Sequence, residues 1–325
     1  MTGTIPSNLF ELSRLTSLQL SRVGLGGSLS TLVGKMTSLE ALDLSLNNFL
    51  GTLPTEIGLL TNLQSLVVRV NDLTGALPSE LGQATLLEKL DLSVNPMQGA
   101  IPSEVGNLGT LTLLDLSYTM MNGTIPTEVG LLTDLEVLAL ERASFSGTIP
   151  SEIFLLTYLN VFTAYENKLA GSIPGDKSIW SLLKLEVFGA GGSLTGTIPP
   201  SLALAENLQE LYLHSNQLTG TVPSEFGLLT NLQVLALSDN MLSSALPSEL
   251  GLLTLLGTCN HAYMRCCNLK TSSTQLFAFF LKLNWQPVRN LVNSSYKTGE
   301  FHAEHNLLRN NIPSSLGNWK VIGMY

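Results

Sequence analysis

Leucine recurs along most of this chain at the first, fourth and sixth places of one phrase, Leu-x-x-Leu-x-Leu-x-x-Asn-x-Leu-x-Gly-x-Ile-Pro-x-x-Leu-Gly-x-Leu. The phrase returns every 24 residues. Its first leucine stands at 15, 39, 63, 87, 111, 135, 159, 185, 208 and 232, which gives ten units. One interval of 26 residues followed by one of 23 interrupts the period around Gly189-Ala190-Gly191-Gly192. A fixed period of this kind marks stacked units, each burying its apolar face against its neighbours. The alternation in Leu42-Asp43-Leu44 predicts a short strand with one buried face. Every unit sends that strand the same way, so the strands form one parallel sheet.

The other fixed positions complete the unit. Asn at 47, 71, 95, 167, 216 and 240 falls where the chain turns away from the strand. A buried amide there satisfies backbone groups of its own turn and of the neighbouring unit. Thr119 and Ser193 substitute weakly at this place; Val23 and Ala143 cannot. The glycine column, from Gly27 to Gly220, permits a backbone turn closed to other residues. The proline column, from Pro54 to Pro247, fixes φ where an edge strand gives way to a short helical turn. The expected fold class is α/β: a right-handed solenoid with a parallel sheet on the concave side and short helical turns on the convex side.

The phrase Gly-x-Ile-Pro followed by Ser-Glu-Leu-Gly-x-Leu, in 24-residue units, resembles the plant-specific leucine-rich repeat of receptor-like kinases and receptor-like proteins, and also that of the polygalacturonase-inhibiting proteins. The resemblance covers residues 1–255. It implies a non-catalytic recognition scaffold, the ligand-binding part of a receptor-like protein in cell-surface signalling or defence. The alternative it implies is a secreted inhibitor of a cell-wall-degrading glycosidase. Either would work at the cell surface or outside the cell, with a protein, peptide or glycan ligand on the concave face. A membrane would be engaged only through parts missing from this chain. Arrays of this family open on a cysteine-containing cap; here Leu9, Leu12 and Leu15 open the array without one, and no leader precedes them, so the chain is expected to be a fragment at both ends.

Charge and cysteine separate the tail from the array. Residues 1–255 hold nine basic and 23 acidic residues, a net of −14, whereas 256–325 hold seven and two, a net of +5. An overall charge of −9 excludes a nucleic-acid-binding surface. All three cysteines lie at 259, 266 and 267, an odd count that makes a poor disulfide framework. Residues 256–297 break the repeat, and 298–325 resume it in worn form through Phe301, Ala303, Asn306, Leu308, Ile312, Pro313, Leu316 and Gly317. Two readings of 256–297 stay open: an island domain similar to the ligand-bearing insertion of steroid-hormone receptors in this family, or an irregular segment such as translated non-coding sequence. The lack of strand or helix periodicity favours the second. The apolar run Leu276–Leu281 is too short to span a bilayer.

Recognition in such a scaffold falls to the exposed variable places beside each strand, chiefly the fifth, seventh and eighth of each unit. In early units these are filler, with Asp43, Asp91 and Asp115 as solvated carboxylates. From the fifth unit they become Tyr118, Glu141, Arg142, Tyr165, Glu166, Tyr212 and His214. Tyrosine and arginine offer large contact area with polar ends, and adjacent strands are about 4.8 Å apart, so these residues make one candidate ligand-binding patch. Tyr165 and Tyr212 are its expected anchors, with Arg142 and His214 at the rim and His214 giving pH sensitivity near neutrality. The contrary expectation is a solvated face on which Glu141, Arg142 and Glu166 pair locally.

No phosphate loop, nucleophile elbow or kinase signature occurs. The glycines at 189–192 have the wrong spacing for phosphate and are read as a deletion smoothed by small residues. His302 and His305 with the three cysteines match no standard zinc module. No catalytic residue, metal or cofactor is therefore expected. Acceptor sequons for glycosylation stand at Asn122 and Asn293.

Overall fold

A computed structural model describes residues 3–243 and 245–256, together with two short strands, Glu300–His302 and Lys320–Ile322. The chain divides into two compact units, 1–269 and 270–325. In the second, the two strands pair in parallel. Of the break at 256–297 only Leu256 is described; its remainder, the worn unit's Asn306, Ile312 and Pro313, the sequon at Asn293, the three cysteines and His305 lie outside the described residues.

The first unit carries the array. Ten strands run parallel: β1 (Ser17–Gln19), β2 (Ala41–Asp43), β3 (Ser65–Val67), β4 (Lys89–Asp91), β5 (Leu113–Asp115), β6 (Val137–Ala139), β7 (Val161–Ser172), β8 (Val187–Thr195), β9 (Glu210–Tyr212) and β10 (Val234–Ala236). Ser17 pairs with Ala41, Ala41 with Ser65 and Ser65 with Lys89, so the register equals the 24-residue period. At the irregular interval the register steps from Val161 to Val187 and then to Glu210, absorbing both odd spacings without breaking the sheet. Leu42 and Leu44, and their equivalents in the other units, are buried behind the sheet, except for Leu20 of the first unit, which is half-exposed.

The asparagine column forms a ladder. The Asn47 amide donates to Leu44 and Ser45 carbonyls of its own unit and to the Leu20 carbonyl of the preceding one, while its Oδ1 accepts from the Val23 and Leu25 amides. Asn71, Asn95, Asn167, Asn216 and Asn240 repeat the pattern. Thr119 bonds only within its own unit, through Oγ1 to Leu116 O at 2.8 Å and from Met121 N at 3.4 Å. Thr119→Asn restores the missing cross-unit donor and is expected to raise unfolding free energy by about 1 kcal/mol. A urea midpoint that moves down, with unchanged slope, would contradict the ladder's assigned register.

Two features were not expected. A second strip of parallel pairing follows the asparagine, in Gly26–Ser28, Asn48–Thr52 and Asp72–Thr74. Farther along, Asn122–Thr124 and Ser144–Thr148 continue into the far halves of β7 and β8. The eighth residue of nine units, the place before the asparagine column, is also left-handed without being glycine, with φ between 54° and 58° at Arg22, Leu46, Val70, Val94, Tyr118, Arg142, Glu166, Ser215 and Asp239. Side chains rarely adopt that conformation; backbone bonds to the next unit hold it in place, as Arg142 N to Tyr165 O does at 3.1 Å before Ala143, where no asparagine stands.

The opposite face is made of five-residue 3-10 turns. Nearly all open after a proline in extended conformation, as Thr55–Leu59 does after Pro54. The fourth residue of most turns is glycine because the next turn lies against it: a Cβ at Gly58 would fall 2.2 Å from the Glu80 carbonyl oxygen. Phe154 occupies this place in Ser151–Leu155. The following unit answers with its two extra residues and an α-helix, α1 (Lys177–Leu182), capped by Asp176. Trp180 of α1 fills the widened space, with ring centroids 5.6 Å from Phe154 and 5.2 Å from Phe188.

Candidate functional site

The sheet face is built from side chains at the odd places of each strand, since the even places point into the core. All seven expected residues stand on this face or at its edge, and β5 to β9 bring them together. Tyr165 lies near Tyr212 and His214, at ring centroid distances of 5.3 and 5.4 Å, with Tyr212 and His214 6.3 Å apart. The glycines between them make this possible. A Cβ at Gly189 would stand 2.7 Å from Cδ1 of Tyr165 and 3.4 Å from Cβ of Tyr212. The Tyr165 ring therefore lies in the space that a side chain at Gly189 would take. The short interval is more than a smoothed deletion: it makes an aromatic shelf.

Along the shelf's edge runs a chain of charge. The Arg142 guanidinium meets the Glu166 carboxylate twice, Nε to Oε2 at 2.9 Å and Nη2 to Oε1 at 3.0 Å, and sits 5.1 Å from the centre of the Tyr118 ring. Glu166 reaches His214 Nε2 at 4.0 Å. Glu141 does not join this pair; its carboxylate accepts a hydrogen bond from the Thr163 hydroxyl. Local pairing thus occupies Arg142 and Glu166 and leaves Glu141 facing the sheet. Burial raises the carboxyl pKa of both Glu141 and Asp115, and each is raised further by the acidic neighbour one strand away, Asp115 and Asp91 respectively. Asp115 is thus half-buried and hydrogen-bonded to Ser117 at 2.6 Å, not a freely solvated filler. Burial, then Glu141, pushes the Tyr165 hydroxyl up to about 12.

His214 departs from expectation. It lies in the floor of the shelf, 5% exposed, rather than at the rim. Burial lowers its pKa against the opposing pull of Glu166 and Asp239, so it is neutral at pH 7 and titrates on the acid side. A folded pKa below the unfolded value of about 6.5 leaves stability intact above that pH and removes it as pH falls through the folded value. Melting temperatures measured from pH 7 down to 5 are expected to fall for the parent and to fall less for His214→Gln. Equal slopes would place the histidine in solvent.

Several contributors were missed because only the fifth, seventh and eighth places were counted. The third place shares their face by strand alternation. It supplies half-exposed Leu113, Val137, Val161 and Val187, an apolar row across β5 to β8, then Glu210, which accepts from the Tyr212 hydroxyl at 2.7 Å. Asn122 is exposed on its strand in the second strip, away from this patch.

The Leucine Rich Repeat family model matches residues 38–60, 86–108, 207–229 and 231–253. The chain superimposes on a crystal structure of a TDR receptor with a TM-score of 0.75 and 35% identity, over 79% of this chain and 44% of that one. With the Arabidopsis receptor kinase HAESA, solved in complex with the peptide hormone IDA and the co-receptor SERK1, the TM-score is 0.67 and the identity 30%, over 79% and 47%. This is a leucine-rich-repeat protein of the plant type. A plant ice-binding protein also matches, with a TM-score of 0.63 and 29% identity over 72% of this chain and 76% of that one. No curated protein matches the chain. This leucine-rich-repeat chain spans less than half the length of the two receptor structures. Among its described residues no helix is long and apolar enough to cross a membrane.

Proposed function

We propose that this chain is the ligand-binding part of a receptor-like protein in cell-surface signalling, and that a peptide lying across β5 to β9 is its ligand. The carrying observation is the shelf itself: Tyr165 over Gly189, flanked by Tyr212, with the apolar row Leu113, Val137, Val161 and Val187 leading to it. Half-exposed apolar surface on a rigid sheet gains about 25 cal/mol per Å2 when a ligand covers it. The row crosses the strands at roughly 4.8 Å per unit, so an extended chain of about five to seven residues would span it at roughly 3.3 Å per residue. The acidic groups Asp115 and Glu141 beside the row favour a ligand with a basic side chain. The likeness to peptide-hormone receptors supports this reading over the glycosidase inhibitor. The likeness to an ice-binding protein shows why scaffold alone does not choose a ligand.

The test uses a displayed library of random heptapeptides selected against the full chain. Selected peptides are expected to carry aromatic or aliphatic residues beside lysine or arginine, and to lose at least tenfold in affinity on Tyr165→Ser/Tyr212→Ser. Because the two rings pack together, the double variant should melt slightly below the parent yet keep its fold. Peptides that bind the double variant as tightly as the parent would move the site off the sheet face.

A further inference from the structure

The turn face carries a second surface, independent of the sheet-face reading. The last residue of each 3-10 turn points outward. In the early turns that place holds Glu11, Lys35, Leu59, Gln83 and Asn107, so the fold accepts polar groups there and the one early leucine stands between polar neighbours. From Thr127–Leu131 onward it holds only leucine: Leu131, Leu155, Leu204, Leu228 and Leu252, with Leu182 ending α1 in the same position. Leu131, Leu155, Leu182, Leu228 and Leu252 are between 61% and 69% exposed, and Leu204 38%. An uninterrupted row of exposed leucines over six successive units is larger than the scattered apolar residues of an ordinary surface.

Charge says what would cover it. Side chains three apart eclipse on a 3-10 helix, so the glutamate at the second place of a turn stands beside the leucine at the fifth. Glu128, Glu152, Glu225 and Glu249 accompany Leu131, Leu155, Leu228 and Leu252 in this way. A ridge of leucine edged with carboxylates repels a second copy of itself and an anionic lipid surface. It matches a helix with leucine-type residues on one stripe and lysine or arginine beside them. The spacing agrees: units recur at roughly 4.8 Å along the sheet, and an α-helix returns an apolar side chain every 5.4 Å or so of its length. We propose that this ridge docks a basic amphipathic helix of a partner protein, about 16 to 18 residues long, laid along the array.

Fluorescence anisotropy of the full chain with a labelled 18-residue leucine–lysine helix, and with its leucine–glutamate counterpart, tests this. The lysine helix is expected to bind, with affinity falling as salt rises, and the glutamate helix to bind at least tenfold more weakly. The variant L131Q/L155Q/L228Q/L252Q should lose at least tenfold in affinity while melting like the parent, since these side chains leave no cavity. Should that variant misfold, single L228Q gives the same direction. The variant E128Q/E152Q/E225Q/E249Q should erase the preference for lysine, and Y165S/Y212S on the opposite face should leave the binding of both helices unaltered. Three outcomes would overturn the proposal: equal binding of both helices, unaltered binding by the leucine variants, or a parent dimer in sedimentation that those variants abolish, which would make a second copy the occupant.

Discussion

Asn216→Leu is expected to lower the unfolding free energy by about 3 to 5 kcal/mol and to blunt the cooperativity of the transition. Leucine has the same number of side-chain heavy atoms as asparagine and the same branch at Cγ but a larger volume, so the loss is of hydrogen bonds and fit rather than a cavity. Asn216 Oδ1 accepts from the Gly192 and Leu194 amides, both at 3.0 Å, and its Nδ2 donates to the Ala190, Leu213 and His214 carbonyls at 3.0, 3.1 and 3.2 Å. The Leu213 carbonyl keeps Asn240 as a partner at 2.8 Å; the other groups lose theirs in a dry turn, at about 1 to 3 kcal/mol for each one left unpaired. A repeat array is stabilised by each unit and by its interface with the next, so a lesion between β8 and β9 should let the two sides melt separately. A urea titration followed by circular dichroism checks this, with the exposed Asn107→Leu as the control expected to melt like the parent. A single, unshifted transition for Asn216→Leu would refute the ladder as the source of order. The same change should also loosen the shelf, since Asn216 holds both the backbone after Gly191 and that of His214.

What the sequence disclosed follows from what repeats. Leu42 and Leu44 do the same work in every unit and Asn47 in most, so their period alone gave the strand, its buried face and the parallel register. Columns of variable residues likewise placed Tyr165, Tyr212 and Arg142 on one surface. The details that make this surface a candidate site depend on single occurrences. Gly189 reads as a gap in a pattern, and only the 2.7 Å that would separate a Cβ there from Cδ1 of Tyr165 shows that the gap is filled from the neighbouring strand. His214 sits in a column expected to be exposed yet is buried, as Ser45, Ser93, Ser117 and Ser238 of the same column are, with the Tyr165 and Tyr212 rings beside it, and no spacing rule reports that. Val70 and Val94 in left-handed conformation run against the preference of branched side chains, so propensity would have argued for something else there. The turn-face leucines occupy the variable place of the Leu-Gly-x-Leu phrase, as Leu131, Leu228 and Leu252 do, and only the turns show that this place faces outward.

Trp180→Ala is expected to cost about 3 to 5 kcal/mol, the range for truncating a large aromatic in a packed interior. Trp180 is fully buried, and its Nε1 donates to the Pro174 carbonyl at 2.8 Å. It is the wedge that reconciles a 26-residue unit with 24-residue neighbours: Phe154 stands where a turn glycine would let units close up, and the indole fills what that separation opens. Removing it leaves Phe154 and Phe188 facing a void. Phe188 and Gly189 are adjacent on β8, one pointing into the core and one under the Tyr165 ring. Any relaxation of Phe188 toward the void therefore pulls the floor from beneath the shelf. Two measurements should move together, the thermal midpoint downward and the near-ultraviolet dichroism of the stacked tyrosines toward zero. Trp180→Phe, which keeps much of the ring volume, should recover most of both. If alanine shifted the midpoint by an amount equivalent to less than about 1 kcal/mol, the long unit would not be packed around this residue, and the link between the irregular interval and the shelf would fail with it.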